Sequence, residues 1–469
     1  MKAINVLRLF SSAQLHAFHQ YINCKLFNNS QILCKLFEAF VDIKLYRIKS
    51  KGIDPEKLWK SAVGNKQFND VKFRRIISDL SALIEAFLAF EKYQNNPLET
   101  ENNTMLAYYE MGLDKYFTQA ERLAQEIIEK HPLRNDEFYL NLYRFKFLSN
   151  SFQIKQLHRK STIEYAEADE SLNTFYIINK LKMYCEMLNS QSVINVQYKL
   201  SQIDEIIKLV EEKSYLNIPA IHIYYLIAKT FLNTDKPYFY ELKTVLQKNI
   251  RLFSLSEGKV FYSYLFNYCI RKINKGDLIF LTELFGLYQI TLENKLIFED
   301  GWLSPWDYKN MVVTALRLKE FEWTENFINN YKNTLPIKHR INAYTYNYSR
   351  LLFEKREYKN VLTMLQGVEF DDIFYSLDAR ALLIKTYYEM QDWITIDYVF
   401  NSFSQFLRRD KFIAENHRTN YSNFIKFTRL FCKLQLDKSK ITDQILKDLY
   451  ETPQIADKNW LLEKAKLLI

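Results

Sequence analysis

The sequence predicts an all-α protein built from stacked antiparallel helix hairpins, and three observations carry that prediction. Glycine and proline number only 8 each in 469 residues, against roughly 7% and 5% of an average protein. Little material is left for hairpin turns or glycine-rich loops. No segment sustains the apolar–polar alternation of a half-buried strand. Finally, one unit recurs three times between 305 and 408: a helical run, a short polar break closed by an aromatic, and a second helical run. The aromatics are Phe321, Tyr358 and Trp393, spaced by 37 and 35 residues. Three residues after each stands Thr324, Val361 or Ile396, and four further on Ile328, Leu365 or Phe400. A period near 35 residues belongs to hairpins that stack on their neighbours instead of closing into a globule.

In chain order, residues 1–95 read as a helical N-terminal domain outside the repeat, with a small winged-helix-like cap as one form it could take. Asp54-Pro55-Glu56 is a helix start, because Asp accepts from free amides and proline suits the first helical position. From Lys72 to Tyr93 the apolar residues Ile76, Ile77, Leu80, Leu83, Ile84, Phe87 and Leu88 form one stripe at helical spacing. Lys72, Arg74 and Arg75 at its start read as a solvated face. The polar, proline-bearing segment 96–104 is expected to be a linker. Residues 105–300 read as divergent helical repeats, with helices at Phe138–Leu148, Leu172–Leu188, Ile203–Val210, Ile221–Phe231, Tyr238–Leu246, Val260–Ile273 and Leu278–Leu287. Asn189–Ser192 and Lys275–Asp277 look like connections. Residues 301–469 hold the clear repeats. They begin at the capped start Ser304-Pro305-Trp306-Asp307, with Ser376 expected to cap a later helix and Trp460–Ile469 to form a terminal capping helix.

The unit resembles the tetratricopeptide repeat, a helix–turn–helix of about 34 residues. In that family a small or β-branched residue follows the turn aromatic by three, and a proline ends the second helix. Phe321, Thr324, Ile328, Tyr331 and Pro336 fit. An upstream copy at 101–132 reads Phe117, Ala120, Ala124, Ile127 and Pro132. The resemblance implies a right-handed α-solenoid whose first helices line a concave groove. It departs from the family where the turn glycine is absent, and where Ile373 and Arg408 stand in place of the proline. Members that clamp a chaperone carboxylate need a lysine, asparagine and arginine set. Lys309 and Asn347 match it, but Val313, Asp378 and Leu382 do not, so that activity is not implied.

Lysine and arginine exceed the acids by 64 to 55, a formal charge of +9. Over this length that is a mild basic bias, compatible with acidic partners and thinner than the footprint of a dedicated nucleic-acid binder. Aromatics make up 16% of the chain. They read as filler between hairpins, with a stacking platform for bases as the sharper alternative. The five cysteines (Cys24, Cys34, Cys185, Cys269, Cys432) have no paired spacing, so neither a disulfide framework nor a zinc knuckle is indicated. With no leader pattern and no stretch long enough to span a bilayer, the expectation is a soluble cytoplasmic protein with no membrane partner.

No chemistry-bearing motif stands out. His16 and His19 share a helix face but lack further ligands at metal spacing, and no two glycines are close enough for a phosphate-cradling loop. The chain is therefore expected to be non-catalytic, with no cofactor and no metal. Its expected working surface is the groove of the first helices: Trp306, Lys309, Val313 and Arg317, then Tyr346 and Arg350 beside Phe353, then Ala381, Lys385 and Tyr388. Arg350 aligns with Lys385 and Phe353 with Tyr388 one period on, a ladder of cations beside a ladder of aromatics suited to an acidic peptide. Alanine at Lys309, Arg350 and Lys385 is expected to spare helicity and abolish capture. The alternatives are a nucleic-acid- or ribosome-associated factor, or a regulator whose N-terminal domain responds to a peptide in the repeats.

Overall fold

A computed structural model describes residues 2–45, 54–157, 165–193, 196–212, 214–233, 236–366 and 372–469. Among the described residues every regular element is a helix, and the only extended pairing is an isolated bridge between Glu299 and Trp302. These residues divide into two compact units, 1–183 with 202–221, and 184–201 with 222–469.

The first unit opens with α1 (Lys2–Leu7), α2 (Ser12–Asn23), α3 (Gln31–Leu45), α4 (Pro55–Val63) and α5 (Asp70–Gln94). Phe18, Phe37, Leu58, Phe73, Leu80 and Phe87 form one core among them. The start of α4 is as expected: the Asp54 carboxylate accepts the Glu56 amide at 3.0 Å and Pro55 takes the first helical place. The stripe on α5 faces that core, while Lys72, Arg74 and Arg75 are exposed and Arg74 pairs with Asp70 at 2.9 Å. No strand accompanies these helices among the described residues.

The expected linker at 96–104 is instead the first half of a helix, α6 (Pro97–Met111). Its polarity is initiation chemistry. The Asn96 side chain accepts the Glu99 amide at 3.2 Å and Pro97 occupies the first turn. Leu98, Asn102 and Met105 are buried, and the Asn102 amide donates to the Asn141 carbonyl at 3.0 Å. The unit continues with α7 (Asp114–Lys130) and α8 (Asp136–Leu157), and α6 packs on both. Next come α9 (Ala166–Val193), which passes into the second unit at Tyr184, α10 (Ile203–Glu212), and α11 (Pro219–Leu232), which passes into the second unit at His222. Residues 189–192, expected as a connection, are the last turns of α9.

The second unit adds α12 (Lys236–Asn249), α13 (Leu255–Asn274), α14 (Ile279–Glu293), α15 (Pro305–Arg317) and α16 (Phe321–Tyr331). It goes on through α17 (Ile337–Glu354), α18 (Tyr358–Gln366), α19 (Ile373–Glu389) and α20 (Trp393–Arg409). It closes with α21 (Glu415–Leu436), α22 (Asp443–Glu451) and α23 (Lys458–Lys466). Helices adjacent in sequence pack as pairs (α13 on α14, α15 on α16, α17 on α18, α19 on α20). First helices also touch the first helices of neighbouring pairs: α15 meets α17, and α17 meets α19. That double contact is how repeated hairpins bury a continuous core.

The repeat grammar has a physical meaning here. Thr324, Val361 and Ile396 are buried, as are Ile328, Leu365 and Phe400 four residues on, so both positions are core. The Thr324 hydroxyl donates to the Glu320 carbonyl at 2.6 Å, which lets a polar residue sit there. The turn aromatics Phe321, Tyr358 and Trp393 open the second helices and are only partly buried. Each first helix ends in the same double hydrogen bond about a left-handed residue. For α15 the Glu320 amide donates to the Ala315 carbonyl and the Lys319 amide to the Leu316 carbonyl, both at 3.0 Å. The left-handed residues are Lys319, Arg356 and Gln391, with φ of 61°, 62° and 57°. The missing turn glycine is thus replaced by ordinary residues held where glycine costs least.

The upstream copy is corrected by this landmark. Its left-handed residue is Gly112, with the Leu113 amide donating to the Tyr108 carbonyl at 2.9 Å. Since α7 begins at Asp114, Phe117 falls one turn inside the helix, at the place of Thr324, and is fully buried. The match on five residues was therefore out of register by three. Two of the expected caps also divide: Ser304 accepts the Trp306 amide at 3.2 Å, whereas α19 is capped by Asp372 and Ser376 lies buried inside it.

Candidate partner-binding surface

The cations expected to line an open groove are enclosed. Lys309 on α15 forms an ion pair with Asp378 on α19. Its Nζ lies 5.6, 5.5 and 5.9 Å from the ring centroids of Trp306, Tyr346 and Tyr375. Tyr421 on α21 donates to the other Asp378 oxygen at 2.7 Å. Lys385 on α19 is 4% exposed, sits 5.0 Å from the Phe353 centroid and 5.7 Å from that of Trp460, and pairs with Asp457 at 3.3 Å. Arg350 on α17 is half-buried and donates to the Tyr346 hydroxyl at 3.4 Å. Three rings and a carboxylate around an ammonium make a strong resting place for that charge.

Asp457 is the hub of the lower half. It precedes α23 in a left-handed conformation, φ 50°, and makes no capping bond to that helix. Its side chain turns instead to Lys385. Burial would raise its carboxyl, but Lys385, Arg350, the hydrogen bond from Lys385 and then Lys309 together hold it below the usual carboxylate range. Nearby, Trp460 on α23 donates to Glu389 at 3.0 Å and packs edge-on against Tyr388 at 5.2 Å. The groove reading is corrected accordingly. Lys309 and Lys385 are paired inside the chain, Tyr346 and Tyr388 are buried, and Val313 is half-buried, leaving Trp306 and Arg317 exposed. Alanine at Lys309, Arg350 and Lys385 would damage the fold along with any binding.

Several of these contacts share a spacing that the one-period alignment did not contain: their partners lie two repeats apart. Lys309 reaches Asp378, and the Tyr375 hydroxyl donates to the Pro305 carbonyl at 3.0 Å. Lys385 reaches Asp457 and Glu389 reaches Trp460. Upstream in the same unit, Tyr264 donates to Glu186 at 2.7 Å and Asn267 to Asn189 at 3.0 Å. The signal was in the sequence, as acids near twice the repeat length from the aligned bases.

What stays exposed is an edge. Trp306, 50% exposed, lies edge-on to Phe374 at 5.2 Å, and Phe374 lies edge-on to His417 at 5.1 Å. These rings stand in the first turns of α15, α19 and α21. The first turn of α17 presents Ile337, 76% exposed, and Lys338, and Ile341 is exposed just beyond it. It has no acidic residue in that turn and its cap, Pro336, offers no side-chain bond. Basic residues against the positive end of a helix oppose its dipole.

Among the described residues no three His, Cys, Asp or Glu side chains gather as a metal site. His16 faces Gln20 at 3.2 Å and His19 approaches Glu38 at 3.8 Å. All five cysteines are unpaired, and burial pushes the Cys432 thiol up to about 12. No described helix is long and apolar enough to cross a membrane. No family model, curated protein or solved structure matches this chain.

Proposed function

We propose that the chain is a tetratricopeptide-like, right-handed α-solenoid that acts as a non-catalytic scaffold, holding a protein or peptide partner on the edge marked by Trp306. One observation carries this reading: a continuous strip of rings, Trp306–Phe374–His417, assembled from the starts of three first helices with an indole half in solvent. Large aromatics held rigidly at a surface are favoured anchors for partners. The exposed Ile337, Lys338 and Ile341 at the start of α17, the helix packed on α15, add apolar surface and positive charge, so the partner proposed is an amphipathic segment with acidic residues. Unpaired thiols throughout fit a reducing compartment such as the cytoplasm.

The test is capture from the native host with full-length protein. Trp306→Ala and Ile341→Glu, both at exposed positions, should each leave helicity unchanged and remove the same partner, identified by mass spectrometry. Retention by both variants would remove this edge from consideration. The nucleic-acid alternative makes a separate prediction, retention of RNA or DNA on a filter at low salt that weakens steeply as salt rises. No retention at low salt ends it.

A further inference from the structure

Arg380 on α19 lays its guanidinium on the Phe406 ring, Cζ 4.3 Å from the centroid. Its Nε is buried without a hydrogen-bond partner, and no carboxylate of the described residues lies within ion-pair distance. Leaving a guanidinium nitrogen buried and unpaired is costly. Beside it opens a cleft of about 400 Å³ lined by Arg380, Ser402, Gln405, Phe406, Arg409 and Asp410.

We propose that this cleft between α19 and α20 is a carboxylate-binding site, in which Arg380 and Arg409 grip one acidic group of a peptide partner while Ser402 and Gln405 complete its hydrogen bonding. The chemistry selects the ligand. Arg380 is stacked and therefore presents its planar fork in one orientation, the geometry that meets a carboxylate through two parallel bonds. Two guanidinium groups and the Asp410 carboxylate leave a local formal charge of +1, which one carboxylate neutralises and a doubly charged phosphate overshoots. Asp410 does not fill the site itself: one of its oxygens accepts the Phe412 amide at 2.8 Å, and its carboxylate makes no ion pair with Arg380 or Arg409. The assignment rests on the reading of the chain as a partner-binding scaffold but is independent of the Trp306 edge.

The experiment uses the full chain labelled with ¹⁵N at arginine, following the Arg380 Nε–H resonance. Three probes are added separately: N-acetylglutamate N-methylamide for a side-chain acid, N-acetylalanine for a chain-terminal one, and inorganic phosphate. The expected result is a saturable shift with at least one carboxylate at about 1–10 mM, and the tighter probe identifies the source of the acid. Arg409→Gln, at an exposed position that should not disturb folding, is expected to weaken it about three- to tenfold. A shift that fails to saturate, an unchanged affinity in Arg409→Gln, or tighter binding of phosphate than of either carboxylate would overturn the proposal. Failure here leaves capture by the Trp306 edge intact, whereas loss of that edge leaves probe binding intact.

Discussion

Asp457→Ala in the full-length protein is expected to cost about 3 kcal/mol of stability, more than a surface ion pair could. The reason is the partner left behind. Lys385 is 4% exposed, and without Asp457 its ammonium keeps the Phe353 and Trp460 rings but no counter-charge. Breaking a buried pair typically costs about 3–5 kcal/mol, and the low end applies because a third of the Asp457 side chain still meets solvent. Pairing it with Lys385→Met should recover most of the loss, since two apolar groups need no counter-charge. The acid dependence has a definite sign. The folded carboxyl sits below its ordinary value, so the unfolded chain binds more protons in acid. The stabilisation is complete above an unfolded pKa of about 4 and disappears as pH falls through the folded value. Urea titrations at neutral and acid pH, read by circular dichroism, check both points. A loss under about 1 kcal/mol, or an unchanged acid slope in Asp457→Ala, would show the pair to be energetically idle.

Phe400→Ala is expected to cost about 3–5 kcal/mol and Tyr358→Ala about 1–2 kcal/mol. The ordering comes from burial: Phe400 is 1% exposed at the core position of α20, while Tyr358 opens α18 only partly buried. A fully buried landmark ring would carry the larger figure. Equilibrium unfolding of the two variants decides it, and equal losses would refute the assignment of the landmark ring to the rim.

Helices, their pairing and the buried positions of the repeat were legible because apolar periodicity and turn chemistry are local. The capped starts at Asp54 and Ser304 were legible for the same reason. The linker at 96–104 was misread because Asn and Pro serve a helix start as well as a break, and only the burial of Leu98 and Met105 separates the two. The upstream register slipped because aromatics were aligned, whereas the fixed point is the left-handed residue at the turn, which is Gly112 there and Lys319, Arg356 or Gln391 below. The cations of the groove were placed on the correct helices but read as open to a partner, whereas the acids of Lys309 and Lys385 lie two periods on in the same chain. Pairing at two periods is set by how first helices approach one another, which no single unit encodes.

Those ties across two units bear on how such a chain can change over time. In an array where each hairpin meets only its neighbours, a whole unit can be lost or duplicated and the ends rejoin. Here, excising α17 and α18 would leave Lys309 facing α19 at the wrong offset from Asp378, and would strip Lys385 of the Phe353 ring. Loss or duplication of a single hairpin between α15 and α23 would therefore break ties that most single substitutions leave in place.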